Sequence, residues 1–579
     1  MIRPLAALLL VFASGTASVL ARLAEPSAPS APDLQALIDG AAARGESRVV
    51  FPPGEHRLAS ALQLRNLSNL VIDGNSARLV FTSLKDGGIA ISDTNALVLR
   101  GLTIDFDPLP FTQGVIEAID TAAGTLTWAV HDGYPDLSPV YLSHRAHAFD
   151  ATTREWKRDA PDIYASSARA LTPRRGQLSF SPDRRWQLET LAAGDCLVQD
   201  VRRERGIRID RSRDITLEHI TIHSAPGLAM TLRFMDGQNR FSHLTITPGP
   251  LPARATEPRL LSTSADGFNY AYARTGPVLE HCDFSRMGDD SVNLHGIAFV
   301  VAEADPATRT INLIRPYGPE GFPSVVRPGD EVHALAQGNF DFTGTARVVR
   351  FDIDPAPDAH FRALAERMFP HVGAIRKFTV YRLTHDAPLS LATGDFVEIP
   401  AIAAPGYTIR QNRFSQHRGR ALRLMSPRGL VEDNVIDGIK QAAITLGPEF
   451  VGFREAGWVC DVTVRRNTIK NSAFDPVLLR GAAWTPGALS VIWRGETPDA
   501  PRPVAARHRS LRIEQNTIKN VGGPAIHINQ AENVLIKNNR VTRANQAPAV
   551  GAKNKNPWGL ATADPIEVDH SENVTIETD

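Results

Sequence analysis

One six-residue pattern recurs along most of this chain and limits its folds more than any other feature: apolar, any, any, slot, any, apolar. It appears as LRGLTI (99–104), LEHITI (217–222), FSHLTI (241–246), LEHCDF (279–284), IRQNRF (409–414), VEDNVI (431–436), VRRNTI (464–469), IEQNTI (513–518) and IKNNRV (536–541). Neighbouring copies often start 22 to 24 residues apart, as Leu217 and Phe241, Ile409 and Val431, and Ile513 and Ile536 do. A period of that length marks a solenoid, in which each repeat buries its apolar face only against the next. The hexads are short and bounded by Gly, Asn or Asp, and several are rich in β-branched residues, so each reads as a strand. Asn at the slot (Asn412, Asn434, Asn467, Asn516, Asn539) suits a stacked bend, because Asn tolerates left-handed backbone geometry and can hydrogen-bond its like in the next coil. The same slot holds Leu102, Ile220, Leu244 and Cys282, which makes Cys282 core filler before it is a nucleophile.

A second strand follows the hexads, as in GLAMTL (227–232), DGFNYA (266–271), DDSVNL (289–294), GRALRL (419–424), QAAITL (441–446) and GPAIHI (523–528). With a third short strand per coil, the expectation is an all-β fold: a right-handed parallel β-helix with inserted small antiparallel β-barrel subdomains. The expected divisions are a signal peptide at 1–21 and a linker at 22–32, then an N-terminal cap and first coils at 33–104. An inserted β subdomain follows at 105–200, coils carrying acidic motifs at 201–296, an inserted barrel at 297–402, and C-terminal coils at 403–579. The cap, LQALIDGAAARGESRVVFPPGEHRL (34–58), reads as a helix and a first strand closing the open end. Alternating segments with Gly-Asp turns in 105–200 and 297–402 break the period and should frame a cleft.

Basic and acidic side chains balance at 63 each, so nothing here marks a nucleic-acid partner. Arg3, the apolar run Leu5–Phe12 and small residues near Ala17 and Ala21 read as a leader too short to span a bilayer, which implies export to the periplasm or beyond and no membrane span. Three cysteines, Cys196, Cys282 and Cys460, are too few for a disulfide scaffold, and no CxxC or HExxH spacing offers a metal site; no cofactor or metal is expected.

Acidic residues open two successive second strands: Asp266 in STSADGF, and Asp289 and Asp290 in RMGDDSVNLHG. Asp266 and Asp289 are 23 residues apart, one coil, so they should face each other at about 4.8 Å on neighbouring strands. Asp-Gly is also a turn signal, and any one of the three can be structural. Stacked together, like charges raise at least one pKa and set a protonated acid beside ionised partners, as glycoside hydrolysis requires. Asn293 and Arg423 fall on the outward column of the second strand, with Tyr270 in the same register. His295, Glu449, Glu455 and Trp458 lie at the rim or in an irregular loop, where an aromatic face can pack a sugar and acids can take its hydroxyls.

The motifs ADG and GDDSVNLHG resemble the Asp-Gly and Gly-Asp-Asp motifs of pectin-type polygalacturonases. They are closer still to family 110 glycoside hydrolases, exo-acting α-1,3-galactosidases with a similar stretch followed by an inserted barrel. GRALRLMSPRGLVEDNVIDGI and PEFVGFREAGWVCDVTVRRNTI are similar to that family too, so the resemblance covers most of 200–545. It implies an inverting exo-hydrolase acting on a glycan with terminal α-galactose, with Asp290 as acid and Asp266 and Asp289 positioning water. The Gly-His-Gly and Arg-Ile-Lys motifs of polygalacturonases are missing; His295-Gly296 and Arg423 are loose counterparts. A polygalacturonase-like hydrolase or a lyase on acidic polysaccharide, and a non-catalytic carbohydrate-binding helix, remain open readings of the same scaffold.

Overall fold

The computed structural model describes residues 33–315, 320–357, 359–369, 378–475, 487–495, 501–505, 507–547 and 564–577. The expected leader (1–21) and linker (22–32) lie outside them. The chain is a right-handed parallel β-helix. Helix Leu34–Arg44 closes its N-terminal end, with Asp33 accepting hydrogen bonds from the Gln35 and Ala36 N–H groups and left-handed Gly45 ending it. Leu34, Ile38 and Ala41 face the first coil.

Seven of the nine hexads are two strands rather than one. LEHCDF, for example, spans Val278–Glu280 and Asp283–Ser285, with a bend between them; LRGLTI and LEHITI each stay within a single strand, Asn95–Phe106 and Thr216–Ile222. Among the described residues these strands form a continuous 20-stranded sheet that wraps around the bend, and the second strands form an 11-stranded parallel sheet. The bend also differs from expectation. The left-handed residue is the one before the slot (His281, Gln411, Asp433, Arg466, Gln515, Asn538), and the slot side chain turns inward. There the asparagines form a ladder: each Nδ2 donates to the next Oδ1, Asn412 to Asn434 at 3.0 Å, Asn434 to Asn467 at 2.9 Å, Asn467 to Asn516 at 3.0 Å and Asn516 to Asn539 at 2.9 Å. Each Oδ1 also accepts a backbone N–H from the preceding coil, and the ladder ends where Asn412 Oδ1 accepts from the Cys282 N–H at 2.9 Å. Ladder partners satisfy polar groups that burial would otherwise penalise. Cys282 is buried in that column, its thiol pushed up to about 12 by desolvation, as core filler should be.

Two insertions interrupt the coils. The first, between strands Asn95–Phe106 and Ile207–Asp210, is an open seven-stranded antiparallel sheet, although a barrel was expected there; Trp128, Phe149 and Leu178 centre its own core. The second leaves after strand Val292–His295 and returns at Thr408–Arg410, and it closes into a barrel of six strands around Phe299, Leu313 and Tyr381. The second leaves directly from the strand that follows Asp289 and Asp290, and the first re-enters at Ile207–Asp210, two strands before the one that follows Asp266.

Candidate active site

Pairing along the 11-stranded sheet sets Phe268 beside Val292 and Val292 beside Leu422. Carried two residues back, the register stacks Asp266, Asp290 and Arg420, and the backbone bonds Gly267 N–H to Asp290 O and Ser291 N–H to Arg420 O, both 2.9 Å, follow it. The coil is therefore 24 residues here, one more than the spacing of Asp266 and Asp289 implied. Asp290 stands beside Asp266, and Asp289 is offset by one residue. The same slip applies to the outward column, where Asn269 pairs with Asn293 and Arg423, while Tyr270 is wholly buried in the core beside Leu294. A shift of one residue along a strand reverses the side-chain face.

The three carboxylates converge regardless: each places an oxygen within 4.8 Å of the other two. Their surroundings differ. Asp266 is buried and accepts from Asn269 Nδ2 at 2.6 Å; burial first, then the charges of Asp289 and Asp290, push it up to about 7. Asp289 also meets a burial penalty, but Arg418 and Arg202 outweigh it and hold it far below the usual carboxylate range. Arg202 Nη2 reaches its Oδ2 at 2.5 Å and Arg418 Nη2 its Oδ1 at 2.6 Å. Asp290 accepts the Arg420 N–H at 2.7 Å, with the Arg420 and Arg423 guanidiniums 3.6 and 3.8 Å away. A divalent cation would fit the spacing of the trio, but the arginines already supply the compensating charge.

The arginines and their anchors had no motif to announce them. Arg418 also pairs with Asp162, which Lys440 approaches at 2.9 Å, so Asp162 of the first insertion locks onto two C-terminal coils. Arg202 leaves the end of that insertion, just past buried Asp200, which pairs with Arg145 and lies 3.2 Å from His147. The insertion thus builds one wall of the site electrostatically as well as sterically.

A cleft of about 360 Å³ opens over the trio, a size suited to a small ligand. Tyr164 and Arg202 line it from the insertion, Asn269, Asn293 and Arg423 from the sheet, and Phe453 and Glu455 from the loop after strand Ile444–Leu446. Arg423 meets Glu455 at 3.0 Å. Asn269 Oδ1 and Asn293 Oδ1 are buried without a hydrogen-bond partner among the described residues, so they can accept from sugar hydroxyls. His295 is fully buried one layer behind, 3.5 Å from Glu455; burial pushes its pKa well down, and Nδ1 carries the proton because it faces the Gly296 carbonyl at 2.8 Å.

Two of the anticipated residues are elsewhere. Glu449 accepts from the Gly452 and Phe453 N–H groups at 3.0 and 2.9 Å, so its carboxylate shapes the loop and lines no part of the cleft. Trp458 faces a different cavity, packed against Phe450 and His508. The aromatic side chains at the cleft are Tyr164, 42% exposed, and Phe453, 62% exposed.

No family model matches this chain. It is 24% identical over 514 residues to alpha-1,3-galactosidase A of Bacteroides fragilis, covering 86% of this chain and 77% of that one. It is 23% identical over 507 residues to alpha-1,3-galactosidase B of Parabacteroides distasonis, covering 84% and 77%. Among solved structures, an endo-xylogalacturonan hydrolase from Aspergillus tubingensis aligns with a TM-score of 0.38 and 11% identity, over 92% of this chain and 95% of that one. The A-module of a mannuronan C-5 epimerase from Azotobacter vinelandii aligns at 0.33 and 11%, over 92% and 93%. Similarity to alpha-1,3-galactosidases along most of the chain supports a galactosidase-type glycoside hydrolase built on a right-handed β-helix.

Proposed function

We propose that this protein is an exported, inverting exo-hydrolase that removes terminal α-1,3-linked galactose from glycans. The observation that carries the reading is a cluster of three carboxylates in a walled cleft, one of which keeps its proton to about pH 7. Asp266 holds that proton, so it replaces Asp290 as the acid: it protonates the glycosidic oxygen as the C1–O bond breaks. Asp290, fixed by the Arg420 N–H, takes the proton of the attacking water. The trio's oxygens lie within 4.8 Å of one another, tighter than the roughly 6.5–9.5 Å of most inverting pairs, and a water making two ordinary hydrogen bonds bridges oxygens about 4.5 Å apart, so the attacking water must be held by the cluster itself. Asp289 has an oxygen committed to each of two guanidiniums, which makes it a poor nucleophile; its fixed charge helps to keep Asp266 protonated.

The insertion and the 449–455 loop wall what would otherwise be an open sheet face, which favours a chain end over a chain interior. Similarity to alpha-1,3-galactosidases supports galactose and its linkage, and the leader-like residues 1–21 support export. Proton NMR of the purified chain with α-1,3-galactobiose tests the reading. β-Galactose should appear first; initial α-galactose refutes inversion, and no release refutes the substrate.

A further inference from the structure

Trp458 belongs to a second cavity, of about 420 Å³, where the closed barrel meets the C-terminal coils. Three buried polar atoms on its lining residues lack a hydrogen-bond partner among the described residues: Glu398 Oε2, Trp458 Nε1 and Arg507 Nε. Glu398 is 3% exposed and Trp458 7%; the Glu398 carboxyl accepts the Trp458 backbone N–H, but its Oε2 and the Trp458 indole N–H left water on folding without a partner among the described residues. His333 Nδ1 lies 4.0 Å from Glu398 Oε2, beyond hydrogen-bond reach, and burial pushes the His333 pKa down, so the ring offers no charge to hold a carboxylate. Burial pushes the Glu398 carboxyl up to about 8, so at neutral pH it offers a hydroxyl donor beside its acceptor oxygen. Phe342 forms an apolar wall, with the Arg507 guanidinium 4.7 Å over its ring and 3.0 Å from Asp341. A neutral carboxyl, an arginine balanced by its aspartate and an indole N–H, with Glu331 and Arg509 of opposite sign on the same lining, suit a ligand that is uncharged, both donates and accepts, and has an apolar face. Sugar rings combine those properties.

We propose that this cavity is a second carbohydrate-binding site, holding one neutral sugar ring of the glycan through Glu398, Trp458 and Arg507. The choice of ligand rests on the galactosidase reading of the first cleft; the cavity and its unpartnered groups do not. Such a site would retain a long glycan near the cleft without taking part in hydrolysis.

Crystals of the full chain soaked in galactose, with calorimetric titration of the same sugar, separate the two readings. Galactose in both sites supports both. Galactose over the aspartates alone overturns the second site and leaves the enzyme standing; galactose at Glu398 alone supports the second site and counts against the first; galactose in neither overturns both. Glu398→Leu should abolish one binding event and leave kcat/KM on galactobiose unchanged, while raising KM on a longer glycan. Trp458→Phe keeps an aromatic face, though a smaller one, and removes the N–H, so it should weaken the second event at least about tenfold, the worth of one good hydrogen bond. An unchanged titration in this milder variant overturns the assignment even if Glu398→Leu fails to fold.

Discussion

Asp266→Asn replaces a buried acid with a neutral side chain of the same shape, and its effect on stability should depend on pH in a defined direction. Asp266 titrates at about 7 in the folded chain against an ordinary value of 3.8. Three units at about 1.36 kcal/mol each set a ceiling of about 4 kcal/mol, since water entering the cleft at high pH will screen part of the repulsion. Between those values the folded chain holds a proton that the unfolded chain has released. Stability from this group is therefore complete below about pH 4 and is lost as pH rises through about 7. Asparagine has no proton to lose, so the variant should gain on the native chain across that window, by roughly 1–4 kcal/mol at pH 8 relative to pH 4. Urea unfolding of both proteins at several pH values measures the difference, and titrations elsewhere in the chain largely cancel. Hydrolysis should fall by about 10²–10⁴ in the variant, the usual worth of a general acid, while native kcat/KM declines above about pH 7. A stability difference that is flat with pH, or that grows toward acid, would refute the assignment of the proton to Asp266.

Arg418→Gln should be far more damaging than its distance from the sugar implies. It leaves the half-buried Asp162 and Asp289 each with one cation fewer, Lys440 and Arg202 remaining, for about 2–3 kcal/mol by thermal or urea melts, and it should raise the Asp289 pKa. Phe453→Ala should raise KM for galactobiose several-fold with kcat nearly unchanged, because an exposed ring at the cleft mouth binds substrate and transition state alike. Asn434→Leu, in the middle of the asparagine ladder, should cost more in urea melts than Asn539→Leu at its end. Each variant strands the N–H and amide of the preceding asparagine, Asn412 or Asn516, at about 1–3 kcal/mol per group, but Asn539 is half-buried, so water reaching that end of the ladder offsets part of the loss.

The architecture was legible because a solenoid repeats its instructions. A slot seen several times, with Asn in five late copies and apolar residues in four early ones, reports a buried column whichever coil is read. What the column does was less legible. The backbone strain sits one position earlier, at residues as unlike as His281, Asp433 and Arg466, which share no side-chain signal beyond their place before the slot. The choice of Asn reflects the inward ladder.

At the site, residue types in a motif were readable and directions were not. Asp266, Asp289 and Asp290 could be found as a group, since each opens a second strand, but one extra residue in the coil between them exchanges which aspartate stands next to Asp266. Spacing in sequence counts residues, whereas register is set by hydrogen bonds, and the two part company wherever a turn absorbs one residue. The loop beyond Leu446 shows the same limit at greater cost. Its composition announced an aromatic beside acids, yet Glu449 spends its carboxylate on the loop's own N–H groups, and the ring this loop sets over the cleft is Phe453, five residues before Trp458. The arginines that divide three similar aspartates into a proton holder and a fixed anion come from 202 and 418, one at the end of an insertion and the other four coils and a whole barrel beyond. Two carboxylates differ in role here because of what the insertions deliver to them, so the acid and the anion cannot be told apart in the acidic motifs themselves.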